Sequence, residues 1–219
     1  MRLTKPSRIR TAAAAATVGL AAAATVGLVA ASAVAATAAP ASAAGSTLHA
    51  TYKVTGSTFL KAPNATLPLG PGKLAANVNL STGAVKAALT LPDATLSFKQ
   101  FGLIPVTATA RFINNGPTTG TVNLNTGAVT STSHITMQLV SLSIAGLPVP
   151  VGQACESSAP AVIQVASQPG FNILKGGNLA GTYTVPQFAN CGLVTPLINL
   201  TLTGPGNTIT LTLGKAKIG

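Results

Sequence analysis

The sequence of 219 residues contains no tryptophan, two tyrosines, two cysteines and two acidic residues. Sites that stack sugars or nucleic acid bases usually depend on tryptophan and tyrosine, so this shortage argues against such a module. The two acids, Asp93 and Glu156, lie far apart and share no motif. Hydrolysis by paired carboxylates needs two acids beside one bond, so the sequence disfavours that class of enzyme.

Other catalytic arrangements also lack support in the sequence. A Ser-His-Asp triad would have to combine His134 and Asp93 with one of many serines, and no Gly-x-Ser-x-Gly turn is present. Two histidines and two distant cysteines are too few for a cysteine-based zinc site. We therefore expect a protein that is not an enzyme and has no catalytic residue, metal or cofactor. An unrecognised hydrolase ranks third among the candidate functions.

The N-terminus has the pattern of a secretory signal peptide. Residues 1–10 carry four cations and no acid, and residues 11–52 carry no charge and are rich in alanine. The uncharged run exceeds the ~20 residues of a membrane-spanning helix, so an uncleaved anchor is the alternative. Alanine is only weakly apolar, however, and residues 40–43 (Pro-Ala-Ser-Ala) suit signal peptidase. We predict a cleavable signal peptide over residues 1–43, which contacts the membrane only before cleavage.

The mature chain, residues 44–219, carries eight lysines and Arg111 against two acids, a net charge of +7. The lysines are spread along the chain rather than clustered, which argues against a nucleic acid partner. Such spread charge favours long-range, salt-sensitive attraction to anionic cell-wall polymers. We therefore expect a secreted protein that associates with the cell wall through such polymers or binds an apolar ligand.

Cys155 and Cys191 are the only cysteines. In an exported chain an even number of cysteines indicates disulfides, and two cysteines allow one pairing. The sequence predicts a Cys155–Cys191 bridge.

The mature region alternates aliphatic or β-branched residues with small polar ones at period two, which is the pattern of half-buried strands. Gly and Pro interrupt it at short intervals, and no window has the spacing of an amphipathic helix. The alternation is clear in Leu48-Ala50-Tyr52-Val54, Val106-Ala108-Ala110-Phe112, Ile198-Leu200-Leu202 and Ile209-Leu211-Leu213. We predict one all-β domain over residues 44–219. An antiparallel β-sandwich of about ten strands is preferred, with a closed or half-open β-barrel as the alternative.

An internal repeat supports this fold class. Residues 78–85 (VNLSTGAV) recur as residues 122–129 (VNLNTGAV), and the same offset of 44 without a gap extends the match to residues 78–103 and 122–147. Two copies are too few for a solenoid. We interpret them as related halves of one sheet system.

Each octet is typical of a β-hairpin. A strand should end at Leu80 or Leu124, followed by a three-residue turn. Gly83 and Gly127 then occupy the position that needs a positive φ.

Several strings near the C-terminus suggest a relationship. They are Gly176–Pro186 (GGNLAGTYTVP), Cys191-Gly192 and Gly204–Thr208 (GPGNT). Together with the alanine-rich leader, they resemble an uncharacterised family of secreted β-proteins from high-GC Gram-positive (actinobacterial) bacteria. The resemblance covers the leader and about the last two-thirds of the mature chain. Its motifs are turn and strand signatures, so it implies export and a β-fold and transfers no functional residue.

Two apolar, turn-like segments lie at matching positions of the repeat. They contain Phe101, Leu103 and Ile104 in one copy and Leu147 and Val149 in the other. Buried strand crossings would explain them, and the alternative is an exposed contact patch or the mouth of a ligand site.

We predict a secreted or envelope-associated, non-enzymatic binding or structural module. The alternative is an extracellular carrier of lipid or another apolar ligand. A continuous apolar cavity of ~300 Å³ or more would favour the carrier, and a packed interior would favour the module.

Overall fold

The computed structural model describes residues 46–219, so the signal peptide predicted over residues 1–43 lies outside the described residues. Strands take up 64% of the structure and helices 6%, which confirms the all-β prediction. Fourteen strands are described, eight of which form a closed barrel. These eight are β1 (Thr47–Leu60), β2 (Ala65–Asn79), β3 (Ala84–Thr90), β6 (Thr118–Val122), β7 (Val129–Ile144), β10 (Ala161–Ser167), β11 (Gly177–Val185) and β13 (Gly204–Leu213).

The remaining elements are inserted between barrel strands or follow the last one. They are β4 (Ala94–Gln100), β5 (Ile104–Asn114), β8 (Leu147–Val149), β9 (Glu156–Ser157), β12 (Phe188–Ala189), a 3₁₀ helix (Gly192–Val194), α1 (Thr195–Leu202) and β14 (Lys217–Ile218). Every insertion leaves from the same end of the barrel, which we call the decorated end. The other end, which we call the plain end, carries the β2–β3 and β6–β7 turns and the loop between β10 and β11.

The barrel is an antiparallel meander in the order β1, β2, β3, β6, β7, β10, β11, β13 and back to β1. Closure depends on the pairing of β7 with β10, through residues 130–135 and 161–166. The preferred prediction of a sandwich was therefore wrong, and the barrel alternative is correct. Alternating residues with one buried face occur in both architectures, so the sequence pattern could not separate them.

Inward-facing glycines let the strands bend enough to close. A Cβ on Gly181 of β11 would collide with the backbone carbonyl oxygen of Gln164 on β10. A Cβ on Gly56 or Gly120 would collide with a carbonyl oxygen of the strand beside it in the same way. Glycines at such positions mark tight bends in barrels.

The predicted strand over Ile198–Leu202 was also wrong, because this segment forms α1. Pro196 stands in the first turn of the helix, where its fixed φ suits helix initiation. Only Ile198, Thr201 and Leu202 of the helix are buried. Five alternating residues are too few to separate a short helix from a strand by periodicity.

The predicted Cys155–Cys191 disulfide is present and fully buried, with Cα atoms 4.4 Å apart. Cys155 follows β8 and Cys191 follows β12, so the bridge joins two separate insertions at the decorated end. The preference of disulfides for oxidising compartments is consistent with a location outside the cytoplasm.

The repeated octets form two equivalent hairpin turns at the plain end, joining β2 to β3 and β6 to β7. The side chain of Asn79 accepts hydrogen bonds from two following backbone N–H groups at 2.9 Å, and Asn123 does the same at 3.0 Å. Because these bonds start the turns, the preceding strands end at Asn79 and Val122, slightly before the predicted Leu80 and Leu124.

The positive φ predicted at the two turn glycines is confirmed, at 73° for Gly83 and 74° for Gly127. Their surroundings differ. A Cβ on Gly83 would collide with the carbonyl oxygen of Val122, whereas a Cβ on Gly127 would meet no atom of the described residues within 4 Å.

We expect Gly127→Ala to lower the free energy of unfolding by about 1 kcal/mol, the cost of a side chain at positive φ. Gly83→Ala should cost a further 1–3 kcal/mol, roughly the cost of overpacking against backbone. Urea denaturation of the two variants beside the wild type measures both values. Equal losses in the two variants would contradict the contact between Gly83 and Val122.

The second half of the repeat continues beyond the barrel. In the first copy, Pro92 follows β3, and β4 begins after it. In the second copy β7 continues unbroken over 16 residues. As a result β5 lies between β4 and the last part of β7, and β8 pairs with β7 on the outside. We call this four-stranded extension (β4, β5, β7 from residue 135 onward, and β8) the tip sheet.

Candidate functional site

The barrel encloses an inner cavity of about 100 Å³. Side chains of seven barrel strands and of the loop before β11 supply most of its apolar wall: Val54, Leu69, Leu74, Val78, Val85, Val129, Ile163, Phe171, Ile173, Leu179, Ile209, Leu211 and Leu213. None of the described residues that line it is charged. The sequence does not reveal this site, because its wall residues look like ordinary core positions of alternating strands.

One pair of hydroxyls on the cavity wall has a defined direction of hydrogen bonding. The hydroxyl of Thr58 donates to the backbone carbonyl of Thr208 at 2.9 Å, and it lies 2.7 Å from the hydroxyl of Tyr183. Because the Thr58 proton is used for Thr208, the phenol of Tyr183 must donate to Thr58. Burial raises the pKa of Tyr183, which keeps the phenol neutral.

A second hydroxyl pair lies on the same wall, where Thr118 and Ser133 are 2.8 Å apart. Ser133 pairs with Ile163 on β10. By continuation of the β10–β11 register, Ile163 lies opposite Tyr183. Ser133 and Tyr183 therefore stand at about the same level of the barrel, on the two strands that flank Ile163.

Four of the five residues predicted as an apolar patch come together at the end of the tip sheet. Phe101, Leu103 and Leu147 are 76%, 83% and 70% exposed, and Ile104 is 42% exposed. The fifth, Val149, lies farther back, pairs with Leu142 and is half-buried.

The patch is not the mouth of the inner cavity, because none of its residues lines that cavity. It borders instead a separate crevice of about 100 Å³ between the tip sheet and α1. Phe101, Ile104 and Ile144 line this crevice from the sheet, and Leu197 lines it from the helix. We call Phe101, Leu103, Ile104, Leu147 and Leu197 the tip surface.

The helix extends the apolar character of this end. Leu193, Leu197 and Leu200 are spaced four and three residues apart, and all three are exposed, Leu193 completely and Leu200 by 72%. Leu197 and Leu200 share one face of α1, and Leu193 precedes them in the 3₁₀ helix. The sequence did not indicate these leucines, because Leu200 falls in the predicted strand over Ile198–Leu202, and Leu193 and Leu197 belong to no predicted element.

The backbone of the two tip turns is unusual for their residues. Phe101 and Gly102 have φ values of 52° and 74°, and the equivalent Ala145 and Gly146 have 52° and 80°. Positive φ at both central positions is the geometry of a type I′ turn, where Asn-Gly is favoured. A phenylalanine at the first of these positions has an unfavourable backbone conformation, and because its side chain is exposed, it gains no stabilisation from burial.

Charged groups are scarce around the tip surface. The chain has no Asp, Glu, Lys or Arg between Arg111 and Glu156, nor between Lys175 and Lys215. Lys99, which pairs with Pro105 beside the turn, is the charged residue nearest to Phe101 along β4 and β5.

The groups considered for catalysis are not brought together. The carboxylate of Asp93 accepts two hydrogen bonds from Arg111, at 2.9 and 3.0 Å, and this pairing lowers the pKa of Asp93. Glu156 lies on β9 and pairs with Ala189 and Gln138. Within residues 46–219 no three His, Cys, Asp or Glu side chains are placed to hold a metal ion. The described helices include none with the length and apolarity to cross a bilayer.

Comparison with known proteins adds no relationship. No family model matches the chain, no curated protein is significantly similar to it, and no solved structure matches it.

Proposed function

We propose that the protein is a non-enzymatic binding module that acts outside the cytoplasm and attaches to the cell envelope through its tip surface. The observation that carries this proposal is Phe101, which is 76% exposed and has a φ of 52°. A bulky residue with positive φ is a genuine outlier, and such strain clusters at functional sites. Contact with an apolar partner accounts for the exposure and the strain together.

The partner is an anionic lipid surface. The tip turns project from the barrel and present aliphatic and aromatic side chains beside Lys99. The segments that build the tip surface contain no acid, so anionic headgroups meet no repulsion there. The nine cations of residues 46–219 add long-range attraction, with about 1 kcal/mol for each lysine close to such a surface.

The inner cavity does not favour the alternative function, an extracellular carrier of lipid or another apolar ligand, for any ligand as large as a lipid. Its volume of about 100 Å³ is below the ~300 Å³ at which ligand pockets usually begin. The module is therefore the better supported of the two functions.

Phe101→Asn should weaken binding to vesicles made of equal parts phosphatidylcholine and phosphatidylglycerol by about tenfold or more. Burial of a phenylalanine side chain contributes about 1.5–3 kcal/mol, which corresponds to this change. Co-sedimentation with vesicles at low salt measures the effect. Because asparagine suits the turn, the variant should be at least as stable as the wild type.

Ala145→Asn is the matched control, because it makes the same change at the equivalent turn position without removing a large apolar side chain. It should bind vesicles like the wild type. Equal binding by Phe101→Asn and the wild type would refute the proposal, as would the absence of vesicle binding at any salt concentration.

Two other partners are distinguished by the same variants. If anionic wall polymers hold the protein through its spread lysines, the amount of protein retained on purified cell wall will fall as salt is raised, and it will be the same for Phe101→Asn and the wild type. If the tip surface joins two copies of the chain, sedimentation velocity will show dimers that Phe101→Asn dissociates. Either result would replace the lipid partner.

A further inference from the structure

We infer that the inner cavity is a binding site for a small, neutral ligand that has an apolar body and one hydrogen-bond donor, either O–H or N–H. This inference is independent of the tip surface and of the envelope attachment proposed above. It rests on the size of the cavity, on its lack of charge and on the direction of one hydrogen bond.

The size of the cavity limits the ligand to a few heavy atoms. At about 100 Å³ the space exceeds that of a single water and is somewhat smaller than the ~150 Å³ apolar cavity that admits benzene or xenon. Since the wall, within residues 46–219, contains no charged residue, an ionised ligand would find no partner there for its charge. The ligand must therefore be neutral and compact.

The hydroxyl of Tyr183 determines which polar group the ligand carries. Its proton is donated to Thr58, whose own proton is donated to Thr208. The Tyr183 oxygen therefore has spare acceptor capacity and no proton to offer. A ligand that brings an O–H or N–H group can satisfy it, whereas a ligand with only acceptors cannot.

The second hydroxyl pair complements the first. One hydroxyl of Thr118 and Ser133 donates to the other at 2.8 Å, so the accepting hydroxyl keeps its own proton. An alcohol carries both a donor, which Tyr183 can accept, and an acceptor for a hydroxyl such as those of this pair. An alcohol is therefore the simplest ligand class that fits both.

A route of entry exists beside β3. The pairing of β3 with β6 covers only Ala84–Ala87, so no backbone partner among the described residues lies on that side of β3 near Leu89. The side-chain amide of Asn114 donates to the carbonyl of Leu89 there, and both residues line the cavity. Opening this seam would break one side-chain hydrogen bond and leave the barrel ladder intact.

The inference can be tested with two isomers that contain the same atoms, n-butanol and methyl propyl ether. Each is titrated into the protein, and chemical shifts of the Ile163 and Leu179 methyl groups report occupancy of the cavity. We expect n-butanol to bind about tenfold more tightly than the ether, because only the alcohol can donate to Tyr183.

Tyr183→Phe should abolish this preference while the ether still binds. Tyr52→Phe is the matched control for position, because Tyr52 also lines the cavity and likewise donates its proton, to the backbone carbonyl of Ile173 at 2.7 Å, but it precedes Thr58 by six residues on β1 and so lies nearer the plain end. It should keep the tenfold preference for the alcohol. Each variant lacks one phenol hydroxyl of the wild type, so a general loss of packing would affect both alike.

Each result decides the inference. If neither isomer shifts the methyl signals, the cavity is not a ligand site. If the isomers bind equally to the wild type, or if Tyr183→Phe retains the preference, the assignment of the donor is wrong. None of these outcomes involves the tip surface, so failure here would leave the envelope attachment standing.

Discussion

Replacing Cys155 by serine is expected to lower the free energy of unfolding by about 2–5 kcal/mol. The two cysteines are 36 residues apart, and closing a loop of this length contributes about 4 kcal/mol in the chain-entropy model. The bridge also fastens the loop after β8 to the loop before α1, and the helix covers the tip sheet. The loss should therefore concentrate at the decorated end, as hydrogen exchange of α1 and β5 can measure.

The double variant with both cysteines replaced is the control for the disulfide. If the bridge provides the stability, the double variant should lose about as much as Cys155→Ser or Cys191→Ser alone, because the second substitution removes nothing further. The reduced wild type should behave like the double variant. Losses that add up across the two sites would show that each side chain acts through packing and that the bridge contributes little.

Gly181→Ala should lower the free energy of unfolding by about 3 kcal/mol, at the upper end of the usual cost of overpacking. The added Cβ would collide with the backbone carbonyl oxygen of Gln164 and lie 3.1 Å from the Cα atom of Val165. These are backbone atoms of the neighbouring strand, so they cannot move aside as a side chain would. Relief requires β10 and β11 to separate, which weakens the closure of the barrel.

Thermal unfolding followed by far-ultraviolet circular dichroism measures this loss. Gly127→Ala is the reference, since its added Cβ meets no atom within 4 Å and its cost comes from φ alone. If Gly181→Ala is no less stable than Gly127→Ala, the glycine is not needed for the bend between β10 and β11.

The sequence predicted those features of the fold that depend on local chemistry. Period-two alternation predicted most of the strands, and the octets predicted positive φ at Gly83 and Gly127, since few other residues tolerate it. The disulfide was predictable because two cysteines allow one pairing.

Features that depend on contacts between distant segments were not predictable. Closure of the barrel results from pairing of β7 with β10 and from the close approach of Gly181 to Gln164. Both are properties of neighbours in space, and neither changes the alternation along a strand. Pro196 could have indicated the start of α1, but alternating Ile198, Leu200 and Leu202 suggested a strand instead.

Of the two candidate sites, one could be predicted from the sequence and the other could not. The residues of the tip turns were identified because a repeated apolar turn is conspicuous in a sequence. The cavity residues could not be, since Tyr183 and Thr58 are 125 residues apart and meet only across β13. The donor direction that defines the ligand class depends on a third residue, Thr208, and is visible only in three dimensions.

The strand order has a mechanical consequence. The first and last barrel strands, β1 and β13, are antiparallel neighbours, and β14 also pairs with β1 at Ala50 and Thr51. The start of β1 and the end of β13 thus lie together at the plain end. Tension applied through these two ends would break the hydrogen bonds between β1 and β13 one pair after another, starting at the plain end. It would not load all of them at once, as a shear force along the strands would. The barrel should therefore yield to a weak pull in that direction, while the tip surface at the far end bears none of the load until these hydrogen bonds have broken.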